Sequence, residues 1–299
     1  MRVHVRIPAT SANLGPGFDA LGLALALHNE VVAEVRDGVS VKIDGEGADR
    51  LARDGANVVA RGVKLAYEAA GRAFRGCALE CVNRIPTSRG LGSSAAAWVG
   101  GLVAGNALLG SPLSKDALLG LAARAEGHPD NVAAAIFGGL TVSCGTAEGV
   151  TSVTLPVTKS LAWVVLVPEV TSATAEARAL LPRSVSREDA VFNVQRVALL
   201  LAGLQTAVPA ALSVALEDRL HQPYRLKLFP WMPEVVAAAR AAGALGCVLS
   251  GAGPSLLAVV AGDGGPVGRA MEDALSRAGV RGRAQTLDVD STGATSRIS

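Results

Sequence analysis

The glycine-rich segment of residues 86–97, here called the glycine loop, carries the groups best suited to bind an anion. Gly90 and Gly92 flank one leucine and can adopt backbone angles that let a ligand approach the main chain. Ser93 and Ser94 precede three alanines, so we expect a helix to begin here with one serine as its cap. Unpaired amides at a helix N-terminus bind phosphate. The pattern alone favours this interpretation no more than an ordinary strand-to-helix turn.

Two other phosphate-binding motifs do not fit the glycine loop. Gly90-x-Gly92-x-x-Ala95 matches the short dinucleotide pattern, but that motif needs an acidic residue after a second strand, about 20 residues later. Asp116 is the candidate, and it lies in a segment typical of a helix start. The Walker motif needs a Gly-Lys pair, which occurs nowhere in the chain. We therefore reject both motifs.

Two further polar segments could do chemistry. Glu126, His128, Asp130 and Asn131 lie beside apolar sequence, and one carboxylate near bound phosphate would suit Mg²⁺. The alternative is a helix end followed by a capped helix, which the residues alone favour. Residues 8–19, here called the first loop, contain Asn13 and Asp19. These side chains could have a specific polar role, but Asn and Asp are also common turn formers.

Composition narrows the classes of partner and location. The net charge is +2 without a basic run, and aromatic residues make up 3% of the chain, so we expect neither nucleic acid nor a membrane as a partner. The four cysteines form no Cys-x-x-Cys pair and are expected to be small buried residues in a reducing cytoplasm. No charge occurs between Arg89 and Lys115, but the glycines there indicate a buried helix rather than a membrane span.

Apolar periodicity predicts the elements that position these residues. Strands are expected at residues 3–7, 21–36, 78–85, 140–144, 161–167, 247–250, 256–260 and 283–289, with residues 39–43 forming a hairpin with 21–36. Helices are expected at residues 57–72, 114–126, 187–204, 232–242 and 267–278. Residues 171–181 are expected to form a loop and a helix, and residues 221–225 a loop. A polar stretch near residues 154–159 predicts two domains, 1–156 and 157–299.

The first loop, the glycine loop and a third loop at residues 250–255 occur in the order of the three motifs of the GHMP small-molecule kinases, which the chain resembles. The family's central motif has the form Pro-x-x-x-Gly-Leu-Gly-Ser-Ser-Ala-Ala. The first loop, residues 126–133 and Thr174-x-x-x-Arg178-x-x-Leu181-Pro182 are similar to the branch that acts on homoserine. This resemblance implies an α+β, two-domain GHMP kinase fold, with an N-terminal domain like ribosomal protein S5 domain 2 and a ferredoxin-like C-terminal domain.

The resemblance also implies a reaction, the ATP-dependent phosphorylation of the side-chain hydroxyl of L-homoserine to O-phospho-L-homoserine in threonine biosynthesis. ATP would be bound by residues in and around the glycine and third loops: Asn57, Pro86, Thr87, Ser88, Arg89, Gly90, Leu91, Gly92, Ser93, Ser94, Ala95, Ala96, Gly251 and Gly253. Ser94 and Glu126 would hold Mg²⁺. A homodimer is the expected assembly.

By the same resemblance, the amino-acid substrate would contact Asn13, Asp19, His128, Asn131, Arg178 and Arg225. The two arginines would take its carboxylate and Asp19 its ammonium group. Thr174, Asn131 and Arg178 are the residues expected to act in catalysis. Asp130 is a tempting general base, but phosphoryl transfer depends mainly on positioning and charge stabilisation, and we expect no carboxylate base.

Two alternative functions remain open at this point. The chain could be a related kinase that phosphorylates mevalonate or another alcohol, although two arginines and Asp19 favour a substrate with both a carboxylate and an ammonium group. It could also be a non-catalytic nucleotide-binding module, which would be expected to lose the metal and substrate residues.

Overall fold

The computed structural model describes all residues from Met1 to Ser299. Its strands are β1 (Arg2–Ala12), β2 (Leu21–Val35), β3 (Gly38–Gly45), β4 (Gly76–Asn83), β5 (Leu140–Thr146), β6 (Gly149–Leu155), β7 (Leu161–Pro168), β8 (Ala244–Leu249), β9 (Leu256–Ala261), β10 (Gly282–Leu287) and β11 (Thr295–Ile298). Its helices are α1 (Val58–Ala69), α2 (Ser93–Leu108), α3 (Lys115–Glu126), α4 (Asp130–Phe137), α5 (Thr174–Ala179), α6 (Arg187–Thr206), α7 (Pro209–Ala215), α8 (Gln222–Arg225), α9 (Met232–Ala241) and α10 (Gly265–Arg277).

Seven strands form the first sheet, in which β11, β1, β2, β4 and β3 are neighbours and β5 and β6 extend from β2. The predicted hairpin between residues 21–36 and 39–43 is wrong. The edge of β2 from Glu30 to Val35 is already paired with β4, so β3 lies beyond β4 and runs parallel to it. A short turn normally predicts a hairpin, and nothing local reveals that a later strand inserts between the two.

Helix α2 packs behind the first sheet and forms much of the core. Its sequence is apolar on all sides, as expected of a helix covered by other elements, and twelve of its residues are buried, from Ala95 to Leu108. The prediction of a buried helix in this uncharged stretch is confirmed. No helix of the structure has the length and apolar character needed to cross a membrane.

The second sheet has four antiparallel strands in the order β10, β7, β9, β8. With the helices between β7 and β8 and α10 between β9 and β10, this is the β-α-β-β-α-β ferredoxin-like arrangement, as the resemblance implied. Trp163, Val165 and Leu257 face the large core cluster of the first sheet, whereas Leu166 and Leu256 pack under α9 and α10. The central strands of this sheet are therefore buried on both faces.

The chain returns to the first sheet at its end. Leu25 bridges to Val289, and β11 pairs antiparallel with β1. The two-domain division at residues 156 and 157 stays a prediction, and the last strand lies outside the second sheet.

Of the four cysteines, Cys144 is exposed and the other three are buried, so the expectation of burial is wrong for Cys144.

A buried hydrogen-bond cluster around Asp290 fixes this C-terminal return. The Asp290 carboxylate lies 2.6 Å from His28 Nε2 and accepts the amides of Thr292 and Gly293, each at 2.8 Å. Burial works to raise the pKa of Asp290, but the hydrogen bonds from His28 and the two amides outweigh it and the pKa is lowered. The folded protein therefore binds this proton less readily than the unfolded chain. The resulting stability is present above the unfolded pKa of about 3.9 and is lost as the pH falls through the folded pKa.

We expect Asp290→Asn to reduce the free energy of unfolding at pH 7 by about 1–3 kcal/mol, because buried donors lose a charged acceptor. The difference from the wild type should shrink below about pH 4, where the wild-type carboxylate also becomes protonated. Urea unfolding at both pH values measures this, with the exposed Asp288→Asn as the matched control. An unchanged stability at pH 7, or a difference that grows in acid, would contradict the assignment.

Candidate active site

The three loops meet backbone to backbone. The amide of Thr10 donates to the carbonyl of Leu91 at 3.1 Å, and that of Gly251 to the carbonyl of Ala12, also at 3.1 Å. The Ser250 hydroxyl donates to the carbonyl of Gly90 at 2.7 Å. Contacts between residues more than 80 positions apart in the sequence therefore join the three loops into one continuous surface between the two sheets.

Gly90 and Gly92 are required by this close approach. Their φ angles are 75° and 68°, in the left-handed region that side chains disfavour. A Cβ on Gly90 would overlap the carbonyl oxygen of Ser250, and one on Gly92 would overlap the hydroxyl of Thr10. A larger residue would therefore have to displace the backbone of the third loop at Gly90 and the Thr10 side chain at Gly92.

The start of helix α2 is left without a side-chain cap. Gly92 is the N-cap and no side chain accepts from the first turn, so the prediction that Ser93 or Ser94 caps the helix is wrong. The Ser94 hydroxyl instead donates to Glu126 Oε2 at 2.8 Å. The backbone amides of residues 90–95 consequently donate no hydrogen bond within the chain. A row of free amides at a helix N-terminus is an anion-binding site.

A small polar cavity of about 160 Å³ lies in front of these amides. It brings together all of the predicted substrate residues, together with the predicted catalytic threonine and the two predicted metal ligands. These residues are Asn13, Asp19, Ser94, Glu126, His128, Asn131, Thr174, Arg178 and Arg225. Ser88, Arg89, Gly90, Gly92, Ser93 and Gly251 also line it.

A second cavity of about 300 Å³, largely apolar, lies on the other side of the glycine loop. Ser88, Ser93 and Ser94 line both cavities. Asn57 lines the second one, but its side chain is used to cap α1, since Oδ1 accepts from the amide of Val59 at 2.9 Å. Thr87 and Ala96 also line it, whereas Pro86, Leu91, Ala95 and Gly253 line neither cavity.

Arg178 and Asp19 pair with each other across the small cavity. Arg178 Nη1 donates to Asp19 Oδ2 at 2.9 Å and Nη2 donates to Oδ1 at 2.5 Å. This hydrogen bonding raises the pKa of Arg178. Both side chains are about one-third exposed. The structure therefore places the two residues predicted to take opposite substrate charges where each neutralises the other.

Arg225 is the buried cation of the site. It is 1% exposed, and its Nη1 donates to the carbonyl of Gly251 at 3.0 Å. Its Nε has no hydrogen-bond partner, and no carboxylate pairs with it. Burial, and then the charge of Arg178, lowers its pKa to about 10. A buried guanidinium without a counter-charge is costly unless an anion binds it.

Asn13 joins the first and third loops. Its backbone has a φ of 71°, its Oδ1 accepts from the amide of Asp19 at 3.0 Å, and its Nδ2 donates to the carbonyl of Gly251 at 2.9 Å. Left-handed backbone in a non-glycine residue is uncommon and occurs often at functional sites. Asn13 thus holds the Asp19 carboxylate at the cavity wall.

Asp130 orients the remaining polar residues. It is 2% exposed, and its Oδ1 lies 2.7 Å from both His128 Nδ1 and the amide of Asn131. Asn131 Oδ1 in turn accepts from the Thr10 hydroxyl at 2.8 Å. Burial opposes protonation of His128, but the hydrogen bond that the ring donates to Asp130 and the charges of Asp130 and Glu126 outweigh it and raise the pKa of His128. Asp130 is committed to these contacts, which suits a positioning role.

Ser94 and Glu126 form a donor set that fits Mg²⁺. No group of three or more His, Cys, Asp or Glu side chains that could hold a metal occurs in the structure. One carboxylate and one hydroxyl beside an anion site is a pattern Mg²⁺ accepts, because it keeps waters and binds phosphate oxygens. Burial raises the pKa of Glu126, against the hydrogen bond from Ser94, so a cation there would stabilise the charged form.

Sequence reasoning missed two residues in this site. Phe18 lies with its ring centroid 5.5 Å from the guanidinium of Arg178 and 5.6 Å from that of Arg225, which is within cation–π range. His221 contacts Arg225 directly at 2.9 Å. The predicted loop at residues 221–225 is wrong, since Gln222–Arg225 forms the short helix α8. The four-residue spacing of His221 and Arg225 was the available signal, because such residues share one helix face.

Comparisons with known proteins identify the family of this chain. The family described as GHMP kinases N terminal domain matches residues 57–139, and the one described as GHMP kinases C terminal matches residues 198–277. The chain is similar to a homoserine kinase from Moorella thermoacetica, with 47% identity over 93% of this chain and 94% of the relative. It is also similar to one from Clavibacter michiganensis, with 46% identity over 99% and 94% of the two chains.

Solved structures give the same grouping. A homoserine kinase from Cytophaga hutchinsonii superposes with a TM-score of 0.91 at 31% identity, covering 99% of this chain and 97% of that one. A mevalonate kinase from L. major shares the fold with a TM-score of 0.69 at 16% identity, covering 93% and 94%. The chain therefore belongs to the GHMP kinase family and groups within it with the homoserine kinases.

Proposed function

We propose that this chain is an ATP-dependent kinase that phosphorylates the side-chain hydroxyl of L-homoserine. One observation carries the proposal: the free amides of residues 90–95 lie between an apolar cavity and a small charged one. An adenosine suits the apolar cavity, a triphosphate the amides, and a small zwitterion the charged cavity. The similarity to homoserine kinases over nearly the whole chain supports the same substrate pair.

The ATP side of the reaction uses mainly backbone. The amides of the glycine loop would hold the β- and γ-phosphates, and the positive end of the α2 dipole adds to this attraction. Mg²⁺, when bound by Ser94 and Glu126, neutralises charge on the phosphates. The third loop supports the glycine loop through the contact of Ser250 with Gly90.

The homoserine side uses the charged residues. Arg225 would bind the carboxylate, and Asp19 would bind the ammonium group in exchange for its contact with Arg178. Thr174, exposed at the start of α5 and one turn before Arg178, would orient the acceptor hydroxyl toward the γ-phosphorus. The hydroxyl oxygen then bonds to that phosphorus as the bond to the β–γ bridging oxygen breaks. The hydroxyl proton passes to a phosphate oxygen, since Asp130 is committed to His128 and Asn131.

The proposal includes threonine biosynthesis as the pathway, the cytoplasm as the location and a homodimer as the assembly.

A turnover assay tests the proposed reaction and its substrate. Release of ADP should depend on Mg²⁺ and L-homoserine, and neither mevalonate nor 4-hydroxybutyrate, which lack the ammonium group, should support it. Tight ATP binding without turnover of any amino alcohol would instead favour a non-catalytic nucleotide-binding module. Turnover of mevalonate would favour the related alcohol kinase.

We expect Gly92→Ala to lower kcat/KM for ATP by about 10²-fold or more, because a Cβ there would displace Thr10 and tilt the phosphate-binding amides. Steady-state kinetics with varied ATP measures the effect. Gly120→Ala is the matched control, since Gly120 lies within α3 and an added Cβ meets only the flexible Arg124 side chain, at 3.5 Å. If Gly92→Ala retained the wild-type kcat/KM, the glycine loop would not be the phosphate site.

We expect Asp130→Asn to lower kcat by less than about 10-fold, because the amide oxygen can still accept from His128 and the Asn131 amide. Loss of a general base would cost about 10²–10⁴-fold. Asp130→Ala, which removes the acceptor, should cost more than Asp130→Asn if the role is positioning. Equal losses of about 10²-fold or more in both folded variants would identify Asp130 as the base and refute our assignment.

A further inference from the structure

His221 is completely buried behind the carboxylate-binding arginine. Its relative exposure is 0%, and its ring stacks on Phe18 with centroids 5.1 Å apart and an interplanar angle of 23°. Nε2 lies 2.7 Å from the carbonyl oxygen of Gly15, and Nδ1 lies 2.9 Å from Nη1 of Arg225. The imidazole therefore bridges the first loop and Arg225.

The chemistry of the two partners decides which ring nitrogen carries the proton. A guanidinium nitrogen can only donate, so Nδ1 of His221 must accept from Arg225. A carbonyl oxygen can only accept, so Nε2 must donate to Gly15. Both contacts are satisfied together only by the neutral imidazole with its proton on Nε2. An imidazolium would turn an N–H toward the guanidinium of Arg225 and lose that hydrogen bond.

The contact with His221 also fixes how Arg225 faces the cavity. Nη1 has two hydrogens, and they are used by His221 Nδ1 and by the carbonyl of Gly251 at 3.0 Å. Nε and Nη2, which form one edge of the guanidinium, have no partner in the chain. Two parallel donors on one edge match a carboxylate. Pinning Nη1 at two points therefore holds the free edge ready.

The groups around His221 have opposing effects on the pKa of its imidazole. Asp218 Oδ2 lies 3.5 Å from Nε2, and Asp19 also favours the protonated ring, whereas burial and Arg225 oppose it. Asp218 already accepts from the amides of Leu220, His221 and Gln222 and from Asn193 Nδ2. Burial is the strongest of these influences and lowers the pKa of His221.

We propose that His221 is a positioning residue for substrate binding: as a neutral, Nε2-protonated imidazole it accepts a hydrogen bond from Arg225 and holds the free edge of that guanidinium toward the substrate carboxylate. The inference rests on the proposed role of Arg225 in binding homoserine. It adds a residue that does not touch the substrate and acts only through Arg225.

Two variants separate the hydrogen bond to Arg225 from the contact with Gly15. His221→Asn places an amide oxygen near the position of Nδ1 and so keeps an acceptor for Arg225. His221→Gln keeps a donor for the Gly15 carbonyl but has no acceptor at the Nδ1 position. We expect His221→Gln to raise KM for L-homoserine by about 10-fold, the effect of one hydrogen bond to a charged group. His221→Asn should raise it by less than about threefold, with kcat and KM for ATP changed less than twofold in both.

The reverse order of the two variants, equal effects, or a matching rise in KM for ATP would overturn the proposal in favour of a purely structural role. If either variant fails to fold, ¹⁵N NMR of the wild-type imidazole decides: Nδ1 should be unprotonated at pH 7, and a protonated Nδ1 refutes the proposal. If the wild type phosphorylates no homoserine, the proposed function is refuted. The same spectrum then still tests the tautomer of His221 independently of that function.

Discussion

The site depends on the contact of three loops through their backbones. The glycine loop can reach the first and third loops only because Gly90 and Gly92 have no side chain to meet Ser250 and Thr10. The left-handed conformation of Gly92 also starts helix α2 without a cap. The same feature that lets the loops touch therefore leaves the amides free to bind phosphate, so packing and chemistry have a common origin.

Each part of the site has polar or charged groups that lack a partner or that pair only with each other, and each part suits a different group of a ligand. The glycine loop supplies neutral donors and a helix dipole, which suit a phosphate chain. Arg225 is a buried cation held by Gly251 and His221, with one edge unpaired. Asp19 and Arg178 neutralise each other, so a ligand with both charges can replace their contact without leaving either unpaired. A zwitterion satisfies the conditions at Arg225, Asp19 and Arg178 together, and the glycine loop is left for the phosphates.

Much of the fold and of the candidate site was predictable from the sequence. Periodicity located α3 and the strands of the second sheet, the uncharged apolar stretch after the glycine loop located α2, and the resemblance of the loops predicted the residues that line the small cavity. Local patterns could not predict that β4 inserts between β2 and β3, because strand order depends on long-range pairing. They also assigned Ser93 or Ser94 to a helix cap, whereas Gly92 is the N-cap and the Ser94 hydroxyl donates to Glu126, a residue 32 positions away. Phe18 and His221 were missed because their roles arise only when the first loop meets α8.

The most direct test of the account is a crystal structure of the chain with a non-hydrolysable ATP analogue, Mg²⁺ and L-homoserine. The account predicts the γ-phosphate on the amides of residues 92–94, the adenosine in the apolar cavity and the homoserine carboxylate on Nε and Nη2 of Arg225. The homoserine hydroxyl should face the γ-phosphorus, with Asp130 still bonded to His128. A triphosphate bound away from the glycine loop, or a carboxylate that avoids Arg225, would contradict it.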